Sequence, residues 1–327
     1  MSLLVAVTDT VFPSLDGSRA VLSKIGAELQ LSKAPTPEAI LDVARDADAV
    51  LTTYAKLPAD VVNALTKCKI ISRFGIGVDN VDLDAATAKG IVVTKVPDYC
   101  IDEVSDHAMA LLLAIVRKIP FSNARVQAGR WEMPTVVPIH RLRGRTLGLV
   151  GFGRIPQLVV PKAKAFGLKV VTFDPYVPKD VLAKAGVEHL DFKELVKVSD
   201  YISLHCPLTP ETKHLFNAEV FSLMKPGSYL VNTGRGPLID EAALAQALDK
   251  GQLAGAALDV VEKEPPTGSP ILGRDNVILS PHTGFYSEES LLELETKAAE
   301  EVVRVLSGNA PLNPVNPVPA ALKSAAK

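Results

Sequence analysis

The sequence predicts an α/β protein whose sheets are parallel, and three observations carry that expectation. Short Val/Ile/Leu-rich runs alternate with helix-compatible segments along most of the chain. A glycine turn, Gly151-Phe152-Gly153, directly follows one of the strongest runs. Apolar residues make up 47% of the chain and aromatics only 5%, which suits buried parallel strands built from aliphatic side chains. With 327 residues, the chain is long enough for one large or two ordinary domains.

Taken in order, residues 3–8 read as a buried first strand; Asp9 interrupts the run and no basic segment precedes it, so a signal peptide is not expected. Residues 47–53 and Lys69–Ser72 read as further strand segments. Between them, Pro37–Ala44 and Pro58–Leu65 read as amphipathic helices opened by proline in the first turn. Asp102–Lys118 gives a longer helix, apolar on most faces from Val104 to Val116, as expected for burial between domains or subunits. Residues 119–145, with Pro120, Gly129, Pro134 and Pro138, read as a connecting stretch rather than a folded unit. Six strands then follow: Leu147–Val150, Lys169–Phe173, Tyr201–Leu204, Tyr229–Asn232, Gly255–Asp259 and Val277–Ser280. Pro311–Pro319 and the Ala/Lys residues after it read as a surface tail with frayed final residues.

Composition excludes several classes. With 35 basic and 37 acidic residues the net charge is −2 and no Lys/Arg run occurs, so no nucleic-acid partner is expected. The longest apolar stretch, Ala108–Val116, is far short of the roughly 18 residues a membrane span needs. Cys68, Cys100 and Cys206 lie far apart, which fits reduced thiols and a cytoplasmic setting. No His/Cys/Asp grouping has zinc-ligand spacing, so no metal is expected.

The glycine turn carries the first functional signal. Gly151 allows the tight turn, Gly153 lets the backbone approach a pyrophosphate, and the helix beginning at Arg154-Ile155 offers unpaired N–H groups. Asp174 follows strand Lys169–Phe173 at about the 20-residue spacing of a ribose-binding carboxylate. No Lys or Arg stands beside it to receive a 2′-phosphate, so NAD is favoured over NADP. Six strands with this turn after the first match a doubly wound dinucleotide fold. Pro156 stands where the fingerprint usually has glycine, tolerable in a first turn, and Pro161 is expected to bend or delay the helix.

Three later segments, each after a predicted strand, supply complementary chemistry: Asn232-Thr233-Gly234-Arg235-Gly236, Asp259 through Glu264, and Ser280-Pro281-His282-Thr283-Gly284. Open parallel sheets bind ligands at their carboxyl strand ends. There Arg235, Asp259 or Glu264, and His282 can converge. Reducing a 2-oxo acid needs a proton donor for the forming alkoxide and a cation for the carboxylate. Histidine suits proton transfer, a neighbouring carboxylate favours imidazolium, and arginine forks onto carboxylates. His205 with Cys206 ends another strand, but a thiol mechanism needs a base and oxyanion arrangement the sequence does not advertise, so both read as loop residues. His107 reads as a satisfied buried histidine, and His189 and His214 as surface residues.

These residues, with Arg73-Phe74-Gly75-Ile76-Gly77-Val78-Asp79-Asn80 and Leu204-His205-Cys206-Pro207, make the chain resemble the D-isomer-specific 2-hydroxyacid dehydrogenases from about residue 50 to 316. Within that family it is most similar to the phosphoglycerate dehydrogenase and C-terminal-binding corepressor branch. The resemblance implies two Rossmann-like domains. A flavodoxin-like substrate domain would comprise residues 1–100 and 285–327, and an NAD-binding domain, residues 101–284, would be inserted between them and make a homodimer. It implies Arg235, Glu264 and His282 as the catalytic set. Gly151, Gly153, Arg154, Ile155, Asp174, Pro207, Thr212, Thr233, Asp259 and Gly284 would contact NAD, with Asp259 at the carboxamide. Gly75, Ile76 and Gly77, with Arg235, would hold the carboxylate of a small 2-hydroxy or 2-oxo acid. No further regulatory domain is expected beyond residue 327. A corepressor-like NAD(H) sensor with little turnover is the alternative; formate-type oxidation is disfavoured, because that branch carries glutamine where Glu264 stands. Substrate choice is expected to lie with Tyr54, Lys56, Arg73, Tyr99 and Cys100. Lys56 and Arg73 read either as a phosphate site or as solvated surface charges.

Overall fold

The chain is described by a computed structural model over residues 2–323, so the expected fraying at residues 324–327 lies outside the described residues. Two compact units are present: one holds the described residues up to Tyr99 and those from Ser287 onward, the other is Cys100–Tyr286.

The first unit opens with strands β1 (Leu3–Val7), β2 (Ala27–Leu31), β3 (Ala49–Thr52), β4 (Ile70–Arg73) and β5 (Val92–Thr94). They form a parallel sheet in the order β2-β1-β3-β4-β5, the flavodoxin-like arrangement. Helices α1 (Asp16–Leu22), α2 (Pro37–Ala44), α3 (Ala59–Ala64) and α4 (Leu83–Ala88) connect them. Helix α2 starts as its proline predicts, with Thr36 accepting from the Ala39 amide. Strands β2 and β5 were not legible: β2 is a half-exposed edge and β5 has three residues.

The second unit begins with α5 (Ile101–Val116) and α6 (Ile119–Gln127). Its sheet holds β6 (Thr146–Val150), β7 (Lys169–Phe173), β8 (Glu188–His189), β9 (Tyr201–Leu204), β10 (Ser228–Asn232), β11 (Leu253–Leu258) and β12 (Val277–Leu279). The order β12-β11-β10-β9-β6-β7-β8 is parallel throughout, a doubly wound sheet with the glycine turn at its switch point after β6. Helices α7 (Arg154–Ala165), α8 (Lys179–Ala185), α9 (Phe192–Val198), α10 (Ala218–Leu223) and α11 (Glu241–Asp249) complete it. One apolar layer joins Leu195, Phe216, Phe221 and Leu244; the other joins Leu112, Val159, Val160 and Leu168.

One expectation is corrected here and two others are refined. Helix α5 is buried as expected, packed on α7 and on strands β10 and β11 of its own unit. Residues 119–145 are not structureless: α6 and a 3-10 turn at Met133–Val136 occupy them. Pro120 falls in the first turn of α6, where its missing N–H costs nothing, so it opens a helix instead of breaking one. Pro161, expected to bend or delay its helix, lies inside α7, which runs on to Ala165.

The chain then returns to the first unit through α12 (Glu288–Leu306), packed on α1 and β4, and ends its described part in α13 (Ala320–Lys323). The proline-rich stretch is docked rather than loose. The buried Glu301 carboxylate accepts from the amides of Leu312 and Asn313, Val315 N–H donates to Val93 C=O at 2.9 Å, and Asn316 accepts from Val93 N–H at 2.7 Å.

Candidate functional site

Within the second unit, the loops after β6, β7, β10, β11 and β12 all leave from the carboxyl ends of the sheet. Gly151 has φ +92°, and a Cβ there would lie 2.8 Å from the Cys206 amide nitrogen, so only glycine lets the loop after β9 pass. Around Gly153 a Cβ would meet open space, and Gly153 precedes α7 with no side chain capping it. The Arg154 and Ile155 amides therefore face outward without intrahelical partners, and Pro156 contributes no third donor. Asp174 accepts from the Phe152 amide at 2.7 Å and the Tyr176 amide at 2.8 Å, tying the end of β7 to the glycine turn.

The hydroxyl of Thr233 is buried without a hydrogen-bond partner. An open cradle at a helix N-terminus, a carboxylate on the next strand and an orphaned hydroxyl fit a dinucleotide's pyrophosphate, ribose and polar ring edge. Thr212 instead knits its own turn: its hydroxyl donates to Pro207 C=O at 2.7 Å and accepts from the Thr209 amide at 2.7 Å.

Asn232, a buried strand-end amide not singled out from sequence, shapes the arginine loop. It accepts from the Gly234 amide at 2.9 Å and donates to Arg235 C=O at 2.9 Å. Arg235 donates to Gly234 C=O at 2.9 Å. A Cβ on Gly236 would lie 1.8 Å from Val261 C=O, so the loop after β11 crosses directly over it. That crossing brings the segments of Arg235 and Glu264 into register.

Of the two carboxylates that the sequence places after β11, Glu264, expected beside His282, is the one that meets its ring, and Asp259 lies elsewhere. Glu264 Oε2 lies 2.8 Å from His282 Nδ1, while its Oε1 accepts from the Val261 amide at 3.3 Å. His282 has φ +53°, a left-handed backbone unusual for histidine, and its ring meets Phe285 edge-on. Asp259, 3% exposed, accepts from Ser280 Oγ at 2.6 Å and from the amides of Thr283 at 2.9 Å and Gly284 at 2.8 Å. Burial alone raises the Asp259 pKa; hydrogen bonds from His107, Ser280 and the two amides overcome it and hold the carboxyl below its usual range. Its carboxylate thus organises the His282 loop.

His214 and Glu262 form a second, half-exposed pair at 2.7 Å. The Cys206 thiol is pushed up to about 11 by burial, which keeps it protonated and agrees with its reading as a loop residue. Burial lowers the His205 pKa to about 4. Between pH 6.5 and about 4 the unfolded chain therefore binds a proton the folded one refuses, so stability is full above 6.5 and falls as pH drops through that window. The lowered carboxyls of Asp200 and Asp259 act in the same direction, below pH 3.8. His205→Asn is expected to flatten the midpoint-versus-pH curve between 6.5 and 4 in thermal melts; an unchanged curve would contradict this.

In the first unit, Gly75 has φ +147° and the Arg73 guanidinium folds over it. Arg73 is 8% exposed and is not a solvated surface charge, whereas Lys56 is exposed. Among the described residues, no cluster of His, Cys, Asp and Glu suited to a metal occurs.

A doubly wound parallel sheet with this turn, and a histidine–glutamate pair at its strand ends, defines a dinucleotide-binding α/β fold of dehydrogenase type. Residues 109–284 match the family model described as D-isomer specific 2-hydroxyacid dehydrogenase, NAD binding domain, and the chain belongs to that family. It is 43% identical over 314 residues to D-3-phosphoglycerate dehydrogenase of Methanocaldococcus jannaschii, covering 95% of this chain and 59% of that protein. The chain therefore spans about three-fifths of that relative. It is 38% identical to glyoxylate reductase of Thermococcus litoralis, over 87% of this chain and 88% of the relative. Among solved structures, D-lactate dehydrogenase from Aquifex aeolicus, complexed with NAD and lactic acid, matches with a TM-score of 0.85 and 30% identity over 93% of this chain and 96% of that one.

Proposed function

We propose that this protein interconverts a small D-2-hydroxy acid and its 2-oxo acid with NAD, with 3-phosphoglycerate, glycerate/hydroxypyruvate or a similar short acid as substrate. The observation that carries the reading is the 2.8 Å pairing of His282 with Glu264 at the strand ends of a sheet bearing a dinucleotide turn. Gly151, Gly153, Arg154 and Ile155 would cradle the pyrophosphate, Asp174 the ribose, and Thr233 and Asp259 the nicotinamide side. When bound, NAD supplies the acceptor or donor of the hydride on C2. His282 takes the substrate hydroxyl proton at Nε2 during oxidation and returns it during reduction. Glu264 fixes the ring through Nδ1 and stabilises the imidazolium that proton transfer creates. Arg235 holds the carboxylate and balances charge developing on the C2 oxygen. The names of the relatives support the acid class, and the buried Arg73 supports an anionic group on the substrate.

The test is NADH consumption with hydroxypyruvate, glyoxylate, pyruvate and 3-phosphohydroxypyruvate. Turnover with none of them, alongside retained NADH binding, would favour a corepressor-like sensor instead. A preference for the phosphorylated acid that collapses in Arg73→Leu would identify Arg73 as the phosphate ligand.

The same reading extends to assembly and setting. The second unit carries exposed apolar side chains within one stretch, Ile119 at 58%, Trp131 at 87%, Met133 at 72% and Val137 at 58%, which supports a homodimer through this unit. Sedimentation is expected to give a dimer that Trp131→Glu shifts toward monomer; a monomeric wild type would contradict it. Three cysteines that form no disulfide support a reducing, cytoplasmic setting. No helix among the described residues is long and apolar enough to cross a membrane.

A further inference from the structure

His107 on α5 is remote in sequence from the site loops, yet its Nε2 lies 2.9 Å from Ser280 Oγ and 3.3 Å from Asp259 Oδ1. Ser280 Oγ is itself 2.6 Å from Asp259 Oδ1. Counting protons fixes the direction of this chain. Asp259 is ionised at neutral pH and can only accept. The one hydroxyl proton of Ser280 must then lie toward Asp259, since two bare oxygens at that separation repel. Ser280 Oγ is left able only to accept from His107, so Nε2 of His107 carries a hydrogen. The opposite tautomer would set two lone pairs against each other.

Everything downstream of that proton chain belongs to the His282 loop. The Asp259 carboxylate receives the amides of Thr283 and Gly284, and Asp259 C=O receives the His282 amide at 2.9 Å. A Cβ on Gly284 would lie 2.8 Å from Asp259 Oδ2 and 3.2 Å from His107 Cδ2, so carboxylate, imidazole and loop backbone are packed without slack. A left-handed His282 persists only where its surroundings hold it.

We propose that His107 is a positioning residue for His282, acting through Ser280 and Asp259; the inference rests on the proton-transfer role given to His282 above. Its donor fills the remaining acceptor of Ser280 and keeps the serine–aspartate pair in the single arrangement that pins residues 280–284. Without it the hydroxyl and carboxylate can repair elsewhere, and the His282 ring loses its fixed approach to substrate while Glu264 stays in place.

His107→Leu is expected to lower kcat about tenfold while KM and the Kd for NADH move less than about twofold. His107→Gln, whose amide N–H reaches the place of Nε2, is expected to recover kcat to within about threefold of wild type. Combining His107→Leu with Ser280→Ala should cost no more than the larger single change, because both cut one chain. Losses that add in full, or a glutamine variant no better than leucine, would overturn the proposal. A second measurement does not depend on turnover. In long-range proton–nitrogen spectra of histidine-labelled protein, His107 Nε2 is expected to carry a hydrogen at neutral pH, and His282 signals are expected to move in the Leu variant and to stay near their wild-type positions in the Gln variant. A bare Nε2 on His107, or His282 signals that stay put in the Leu variant, would refute the linkage. A wild type that turns over no acid but gives these spectra would instead sink the enzymatic reading and leave the linkage standing.

Discussion

Replacing His282 by alanine is expected to lower kcat for 2-oxo acid reduction by about a thousandfold, with NADH affinity within a few-fold of wild type. Positioned acid–base groups contribute roughly 10²–10⁴-fold, and no other histidine takes its place. His214 is paired with Glu262, and His205 sits half-buried with its pKa near 4, unable to protonate an alkoxide at neutral pH. Water can donate the proton in the variant, which keeps the loss finite. NADH affinity is expected to be spared because the proposed pyrophosphate cradle belongs to the loop after β6, while His282 belongs to the loop after β12. Steady-state NADH oxidation and NADH fluorescence titration separate the two effects. Equal turnover in variant and wild type would remove His282 from the chemistry. Glu264→Gln is the companion: the amide can still contact Nδ1 but no longer balances imidazolium, so a smaller loss, about tenfold to a hundredfold, is expected.

How much of this was legible in sequence follows from how local each signal is. Strands β7 and β9 were read to the residue because each is an aliphatic run bounded by breaks, and the glycine turn, Asp174 and Arg235 sit at fixed offsets from such runs. The edge strands β2 and β8 were not: half-exposed or two residues long, they carry too little apolar pattern. Pro120 misled because a proline's meaning depends on its place in a turn, visible only once α6 is located. Contacts between distant residues were beyond reach for a different reason. Glu301 holding Leu312 and Asn313, or Asn316 capping the Val93 amide across 223 positions, are side-chain hydrogen bonds that leave no periodicity. What Asp259 does for the His282 loop belongs with these. Glu264 was assigned to His282 from sequence, but only the fold reveals that Asp259, which also follows β11, faces Ser280 and His107.

The second large effect is expected from one methyl group. In Gly236→Ala the new carbon would lie 1.8 Å from the Val261 carbonyl oxygen, 1.9 Å from its carbon and 2.6 Å from the Glu262 nitrogen. All three are backbone atoms, so no side-chain rotation relieves the overlap and the two loops must separate by on the order of 1 Å. Overpacking of this kind costs about 1–3 kcal/mol or more, a fall in Tm of roughly 2–12 °C for a unit this size. The loss of activity should be larger than the loss of stability suggests. The displaced segment carries the Val261 amide that orients Glu264, and the Glu262 amide that donates to Glu241 at 2.6 Å. On the other side of the clash, Gly236 directly follows Arg235, whose carbonyl is tied to Asn232. Moving either side shifts the arginine against the histidine–glutamate pair, and misplacement by about 1 Å costs on the order of a hundredfold in kcat. NADH binding should change little, since the glycine turn stands on another strand. A variant with wild-type kcat and an unshifted Tm would mean that the loops have slack here, and that Gly236 is not what holds Arg235 in register with Glu264.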